Sequence, residues 1–137
     1  MASFAIVVTG TLVIVLGQII VKFFIDPVHD LYRLKGEIAD TLIFYAREYT
    51  NPGVLSKEHL DEAQAALRQR GCQLMSRMHG IPAYWAWQFF HVVPRRTAVR
   101  EAWDALVGLS NSVHEGDASQ NVDRRQKIQR ALGIKTE

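Results

Sequence analysis

The longest run of apolar positions in the chain extends from Phe4 to Val21 and contains no charged residue. Lys22 interrupts this run, and three further apolar residues extend it to Ile25. A helix from Phe4 to Ile25 would be about 33 Å long, which is enough to cross a hydrocarbon core of about 30 Å. We therefore expect one transmembrane helix within residues 1–25.

The apolar run has the features of a signal anchor and lacks those of a cleaved secretion signal. A cleaved signal has a basic start, an apolar core of about 7–15 residues and a cleavage site of small residues. Here no basic side chain precedes the run, and no such site follows it. Because Lys22, Arg33 and Lys35 follow the run, the positive-inside rule places that side in the cytoplasm. The pattern predicts a single-pass protein with its N-terminus outside.

Beyond residue 25, apolar positions recur every three or four residues, which is the pattern of amphipathic α-helices. Four such stripes are present: Leu31–Tyr49, Leu60–Met78, Val99–Val113 and Val122–Leu132. The first two, separated by a turn, predict an antiparallel hairpin, and no segment reads as a strand. The predicted fold class is all-α, with a transmembrane helix in residues 1–25 and a small cytosolic bundle of four to five helices in residues 26–137.

Residues typical of helix caps predict where these helices begin and end. Asp26 and Pro27 have the pattern of a cap followed by a first-turn proline, which would restart or kink the helix at the membrane surface. Three further N-caps are predicted, at Ser56, Thr97 and Asn121. Gly133 followed by Ile134 predicts a Schellman ending for the last helix.

An aromatic segment from Ala83 to Pro94 is apolar on almost all sides and is followed directly by two arginines. Twelve residues are too few for a helix that spans a bilayer. One interpretation is a central core helix with one edge in contact with lipid, which we prefer because only Gln88 and His91 are polar. The other is a segment in the membrane interface, with aromatics among the headgroups and arginines on phosphates. The candidate interface residues are Lys22, Phe23, Phe24, Trp85 and Trp87.

Gly10, Gly17 and Gln18 give the transmembrane helix small and polar positions. The two glycines are seven residues apart and share a face, where small residues allow close helix approach and a glutamine can form a hydrogen bond across an interface. These residues are candidates for contact with a second helix. Glycine is also common in membrane helices, and the lack of a GxxxG motif favours this ordinary explanation.

Charge is unevenly distributed in the part beyond residue 25. Residues 26–62 carry four basic and eight acidic side chains, whereas residues 63–100 carry six arginines and no acid. These arginines are Arg68, Arg70, Arg77, Arg95, Arg96 and Arg100. They are candidates for binding anionic lipid or a phosphate ligand; the alternative is that they pair with acids such as Asp30 and Glu37. The overall net charge of +2 does not suggest a nucleic-acid partner.

Motifs that would indicate catalysis or metal binding are absent from the sequence. The single cysteine, Cys72, excludes an internal disulfide and a cysteine-rich zinc site. Cys72 and His79 lie two turns apart on one helix, which alone is a weak metal signal, and no glycine-rich phosphate loop is present. The sequence therefore assigns no catalytic residue, no metal and no cofactor, and it does not support an enzyme.

Several segments together resemble an uncharacterised family of small bacterial single-pass membrane proteins. The resemblance rests on LKGEIADTLIFYAREYTNPG, IPAYWAWQFF, LVGLSNSV and KIQRALGI. It implies a protein of the bacterial inner membrane and transfers no catalytic residue.

The expected function is that of a non-enzymatic, membrane-anchored interaction module that presents a helical cytosolic domain to a protein partner or to a second copy of itself. The alternative is a membrane effector whose arginine and aromatic segment senses a nucleotide or another phosphate ligand and acts by oligomerising in the bilayer. The expected partners are thus the lipid bilayer, a protein and, in the alternative, a small phosphate ligand.

Overall fold

The computed structural model of the chain describes residues 1–135, so that the last two positions of the predicted domain lie outside the described residues. Within residues 1–135 the fold is helical without strands, which confirms the predicted all-α class. The helices are α1 (Ala2–Ile20), α2 (Asp26–Phe44), α3 (Ala46–Thr50), α4 (Lys57–Gly80), α5 (Tyr84–Phe89), α6 (Arg96–Ser112) and α7 (Ala118–Leu132), and one π-helical turn (Val21–Ile25) joins α1 to α2.

The first two helices and the π-helical turn form one continuous helix of 43 residues, Ala2–Phe44. No residue of α1 is buried, and its exposed side chains are almost all apolar. By length and composition this helix can cross a membrane.

The helix does not end and restart at Asp26 and Pro27, because Ala2–Phe44 is continuous, so this part of the prediction is wrong. The alternative, a kink at this point, stays a prediction. The Asp26 backbone N–H bonds to the carbonyl of Val21, five residues earlier, and the Asp26 side chain makes no cap bond. Proline has no N–H to donate, and its ring clashes with the carbonyl four residues before it. A wider π-helical turn directly before Pro27 accommodates this proline without ending the helix.

The core of the domain forms between the long helices α2, α4, α6 and α7. Leu31, Leu34, Ile38 and Leu42 of α2 are all buried, as the predicted stripe requires. Side chains of α4 meet α2 in reverse order, since Arg77 contacts Asp30 and Arg70 contacts Glu37. This order confirms the predicted antiparallel hairpin. Helix α6 then packs against both α4 and α7.

Several helix ends differ from the capping predictions. Ser56 does precede α4, but its side chain makes no cap bond. Arg95, two residues before Thr97, is the residue that precedes α6. Asp117 caps α7 by accepting a hydrogen bond from the Ser119 backbone N–H at 2.9 Å, so Asn121 is not the cap.

The end of α7 confirms the predicted Schellman motif. Gly133 adopts a left-handed conformation with φ of 65°. The Ile134 N–H bonds to the Gln129 carbonyl at 2.8 Å, and the Gly133 N–H bonds to the Arg130 carbonyl at 3.3 Å. These are the two hydrogen bonds that define the motif.

Asn121 lies fully buried inside α7 and connects three helices through its amide group. Its Nδ2 donates to the Tyr49 carbonyl of α3 at 2.8 Å, and its Oδ1 accepts from Ser112 Oγ of α6 at 2.5 Å. Arg124 Nη1 donates to the same Oδ1 at 2.9 Å. Buried polar groups whose nitrogen and oxygen both have partners favour one specific packing arrangement.

One end of the domain lies next to the anchor, and we call it the anchor-proximal end. The start of α2 is there by continuity with α1, and the end of α4 is there because Arg77 contacts Asp30. The loop between α5 and α6 also lies at this end, since Tyr32 Oη donates a hydrogen bond to the Val92 carbonyl. The last turn of α7 shares a cleft with that loop. The candidate site described below is therefore held close to the end of the apolar helix.

Candidate functional site

The six predicted arginines do not form one surface, because three of them bind to neighbouring helices. Arg70 Nη1 donates to Glu37 Oε2 at 2.6 Å, and its Nε donates to Thr41 Oγ1 at 3.1 Å. Arg77 forms an ion pair with Asp30 at 3.2 Å. Arg68 Nη2 donates to Asn111 Oδ1 at 2.6 Å. These contacts hold α4 against α2 and α6, as the pairing alternative predicts for Arg70 and Arg77.

The remaining predicted arginines, Arg95, Arg96 and Arg100, are exposed around the start of α6. In the described part of the chain, none of them has a carboxylate oxygen within 4.0 Å. Arg95 and Arg96 face an open cleft, and Lys35 of α2 and Arg130 of α7 line the same cleft. We call these four residues and the space between them the basic cleft.

The basic cleft has a volume of about 1060 Å³ and lies between α2, the segment from Gln88 to Thr97, and the last turn of α7. Arg130 lies 95 positions beyond Lys35, so no local sequence pattern links the two residues. No carboxylate lines the cleft within residues 1–135. Burial lowers the pKa of the Lys35 ammonium, because nearby protein atoms displace water and favour the neutral form. The cleft is therefore suited to an anion.

Two residues with left-handed backbone conformations, Ala83 (φ 50°) and His91 (φ 58°), bound the short helix α5. After α5 the Val92 N–H bonds to the Trp87 carbonyl at 2.9 Å, and the His91 N–H bonds to the Gln88 carbonyl at 3.1 Å. This is a second Schellman motif, with histidine at the position that glycine usually occupies. It turns the chain sharply and sends Arg95 and Arg96 towards the cleft.

Tyr84 holds the two ends of the aromatic segment together from a buried position. Its Oη donates to the Pro94 carbonyl at 2.6 Å, and the Arg96 guanidinium lies 5.1 Å from the centre of its ring. The Arg96 backbone N–H also donates to Gln88 Oε1 at 3.2 Å. Burial raises the pKa of the Tyr84 hydroxyl to about 12, although Arg96 opposes that rise. Contacts with Gln88 and Tyr84 thus hold both the backbone and the side chain of Arg96 in place.

The interpretation of the aromatic segment as a central core helix is wrong for three of its largest side chains. Trp85, Phe89 and Phe90 are 74%, 73% and 71% exposed, and we call them the aromatic edge. Tyr84 and Val93 are buried, and Trp87 is partly buried against the core. The segment packs against the domain through side chains such as Tyr84, Trp87 and Val93, and the side that carries Trp85, Phe89 and Phe90 points away from the domain.

The other candidate residues lie on the long helix. Lys22, Phe23 and Phe24 are in the π-helical turn and are exposed. Gly10, Gly17 and Gln18 are exposed on α1, and a Cβ atom added at either glycine would have no atom within 4 Å. A shallow groove on this helix runs past Gly17, Gln18 and Val21.

Within residues 1–135, no three His, Cys, Asp or Glu side chains come together in a way that could hold a metal ion. Cys72 and His79 are both exposed, and His79 Nδ1 lies 2.8 Å from the Met75 carbonyl. His114 Nε2 pairs with Asp61 Oδ1 at 2.8 Å, which links α4 to the end of α6.

A second exposed apolar patch lies at the other end of the domain, and sequence reasoning missed it. Ile43 and Phe44 close α2 and are 71% and 75% exposed, and Phe44 contacts the edge of the Tyr45 ring at 4.9 Å between centroids. The two side chains lie beside the buried stripe, and a periodic pattern alone does not show that nothing covers them. We call this pair the distal patch.

Comparisons with known protein families, with curated proteins and with solved structures find no significant match to this chain. The resemblance to a bacterial membrane-protein family therefore stays a prediction. The features of the chain that bear on its function are the apolar helix α1, the basic cleft, the aromatic edge and the distal patch.

Proposed function

We propose that this protein is a non-enzymatic, single-pass membrane-anchored interaction module that presents its helical domain to a protein partner. The observation that carries the proposal is the continuous helix Ala2–Phe44, which is fully exposed and apolar in α1 and supplies a core stripe of the domain in α2. A flexible linker would let the domain move freely. A helix shared by anchor and core instead limits the domain to the positions that tilting of this helix allows.

The distal patch supports a protein as the partner. Phe44 is 18 residues beyond Asp26, which corresponds to about 27 Å along a helix axis. The headgroup zone is only roughly 5–8 Å thick on each side of the hydrocarbon core, so lipid does not reach this patch when the helix stands upright. Exposed large apolar side chains that lipid cannot cover are typical of protein contacts.

We further propose that the domain lies in the cytoplasm and that the membrane is the bacterial inner membrane. Lys22, Arg33 and Lys35 follow the apolar helix, and the positive-inside rule assigns this side to the cytoplasm. A reporter enzyme that is active only in the cytoplasm, fused after the last residue, should be active. Activity of a periplasmic reporter at the same position would reverse the orientation.

Photocrosslinking in intact membranes tests the protein partner. A photoreactive amino acid at Phe44 should give one discrete adduct, whereas the same group at the exposed Lys127 of α7 should not. Mass spectrometry identifies the adduct, and a mass of two chains would identify a second copy as the partner. The complex is then rebuilt from purified components, where Phe44→Ser should weaken binding at least about tenfold, a change of about 1.4 kcal/mol. No adduct at Phe44, or equal affinity of the variant, would refute this role of the patch.

The second candidate function is the effector that senses a phosphate ligand and oligomerises. The lack of carboxylates in the basic cleft favours its ligand-binding half, since Arg95 and Arg96 face the cleft without an acidic partner in residues 1–135. The ion pairs of Arg70 and Arg77 count against the larger arginine surface on which that candidate was based. The oligomerising half has support only from the exposed Gly10 and Gly17 positions.

A further inference from the structure

The basic cleft lies at a height where it can meet lipid headgroups. Tyr32 and Lys35 line it, six and nine residues beyond Asp26, or about 9 and 14 Å along the axis of α2. Side chains of a helix lean towards its N-terminus, which for α2 is the direction of the membrane. A long basic side chain in this position spans most of the remaining distance to the headgroup phosphates, and a tilt of the helix shortens that distance.

Trp85, at the start of the aromatic edge, lies still closer to the membrane, whereas Phe89 lines the basic cleft itself. Arg77 of α4 is level with Asp30 of α2, and α4 runs three residues further towards the anchor before it ends at Gly80. The start of α5 is therefore near the level of Pro27, at the end of the apolar helix. Exposed aromatic side chains at that level match the preference of tryptophan and other aromatics for the interface between water and hydrocarbon.

No acidic side chain of the described residues pairs with the cationic side chains of the basic cleft. Asp30 of α2 is paired with Arg77, and Asp26, at the start of α2, does not line the cleft. Glu101 and Asp123 share a neighbouring groove with Arg130, but neither is within 4.0 Å of it. The end of α7 carries a partial negative charge, which its Schellman hydrogen bonds reduce. Four cationic side chains thus share a cleft that no described carboxylate lines.

We propose that the basic cleft binds the phosphate of an anionic phospholipid headgroup while the aromatic edge enters the membrane interface, so that the domain lies docked on the bilayer. Arginine side chains bind phosphate oxygens through paired N–H donors, and Lys35 adds a point charge. The depressed pKa of Lys35 reflects partial loss of water, which a bound anion would compensate. The lipid is favoured over a soluble phosphate because cleft and aromatic edge lie together at the anchor-proximal end.

The inference rests on the membrane anchor of the proposed function but not on a protein partner. Accordingly, the experiment uses the purified full chain in lipid nanodiscs, in which no partner is present. Resistance of the reconstituted chain to alkaline carbonate extraction from vesicles of the same lipids reports insertion of the anchor. If the chain were extracted by carbonate, the membrane anchor of the proposed function would be wrong. The measurements below test docking of the domain separately.

Docking is measured by quenching of Trp85 fluorescence with brominated lipids in a Trp87→Phe, Trp103→Phe background. Nanodiscs of phosphatidylcholine alone are compared with nanodiscs that contain phosphatidylglycerol. A nitroxide attached at Phe90→Cys in a Cys72→Ser background gives a second depth measurement that needs neither tryptophan substitution. The test variant removes three charges from the cleft and carries Arg95→Gln, Arg96→Gln and Arg130→Gln. The matched control removes the same charge from exposed positions outside the cleft and carries Arg47→Gln, Lys57→Gln and Lys127→Gln.

We expect quenching and nitroxide depth to increase with phosphatidylglycerol and the cleft variant to lose most of that increase. Each basic residue near an anionic surface contributes a factor of about five, so that three should change the ratio of docked to free domain about a hundredfold. The control variant should change the ratio of docked to free domain by less than the factor of about five expected for one cleft residue. Equal effects of the two variants, or no contact of Trp85 and of position 90 with lipid, would overturn the proposal. Binding of inorganic phosphate by the cleft in detergent, with no effect of phosphatidylglycerol, would replace the lipid with a soluble ligand.

Discussion

Replacement of Asn121 with alanine would remove the amide that connects α3, α6 and α7. The Tyr49 carbonyl would lose its 2.8 Å donor, and the Gly53 N–H, four residues further along the chain, is already bonded to the Val113 carbonyl. Ser112 would lose a 2.5 Å acceptor but keep its 3.1 Å contact with the Leu109 carbonyl. A buried hydrogen bond whose remaining partner is left unpaired costs about 1–3 kcal/mol. We therefore expect the variant to lose about 2–4 kcal/mol in total, a large share of a typical stability of about 5–15 kcal/mol.

Urea unfolding of the full chain in detergent measures this loss. All three tryptophans, at positions 85, 87 and 103, lie beyond the apolar helix, so that fluorescence reports the domain and not the anchor. Gln120→Ala is the matched control, because Gln120 is the exposed neighbour of Asn121 and should cost less than about 0.5 kcal/mol. Thermal unfolding should show a fall of about 10 °C or more for Asn121→Ala.

The reasoning would be refuted if the Asn121 and Gln120 variants unfolded at the same urea concentration with the same slope. That result would mean that water or a rearranged side chain satisfies the Tyr49 carbonyl, and that the amide does not determine how α7 packs. A changed slope with an unchanged midpoint would indicate an altered unfolded or native state instead.

Two further predictions concern the backbone and the pH dependence of the domain. Gly53→Ala should destabilise the domain by at least about 1 kcal/mol more than Gly133→Ala in the same urea assay. Both glycines have positive φ, but only a Cβ at Gly53 would lie 2.7 Å from a backbone oxygen, that of His114. Equal losses of stability in the two variants would show that the loop moves aside. Stability should fall as the pH rises from about 10 to about 12, because the unfolded tyrosine ionises near 10 while burial raises the pKa of Tyr84 to about 12 in the folded state. Tyr84→Phe should be less stable at neutral pH, because it lacks the hydrogen bond to Pro94, but its stability should decrease less at alkaline pH. If urea titrations near pH 9 and about pH 11 showed the same decrease in stability for the variant as for the unchanged chain, this assignment would be contradicted.

The sequence alone determined where the long helices lie along the chain and which of their faces point inward. Burial of Leu31, Leu34, Ile38 and Leu42 could be predicted because an amphipathic helix repeats its apolar residues at the period of its own turn. The ending at Gly133 was predictable for a similar reason, since one left-handed residue and its two hydrogen bonds are local. The apolar run of α1 is local as well, and its length alone suits a membrane span.

Only the tertiary structure decided how distant residues combine. Asparagine is a residue type common at helix N-caps, but the packing of α7 on α3 and α6 places Asn121 inside a helix. There its amide forms hydrogen bonds with Tyr49 of α3 and Ser112 of α6. The arginines that look alike in the sequence separate into Arg70 and Arg77, which meet acids of α2, and Arg95 and Arg96, which join Lys35 and Arg130 in the basic cleft. Periodicity determines which face of a helix is buried, but which helices meet, and at what height, depends on the packing of the whole core.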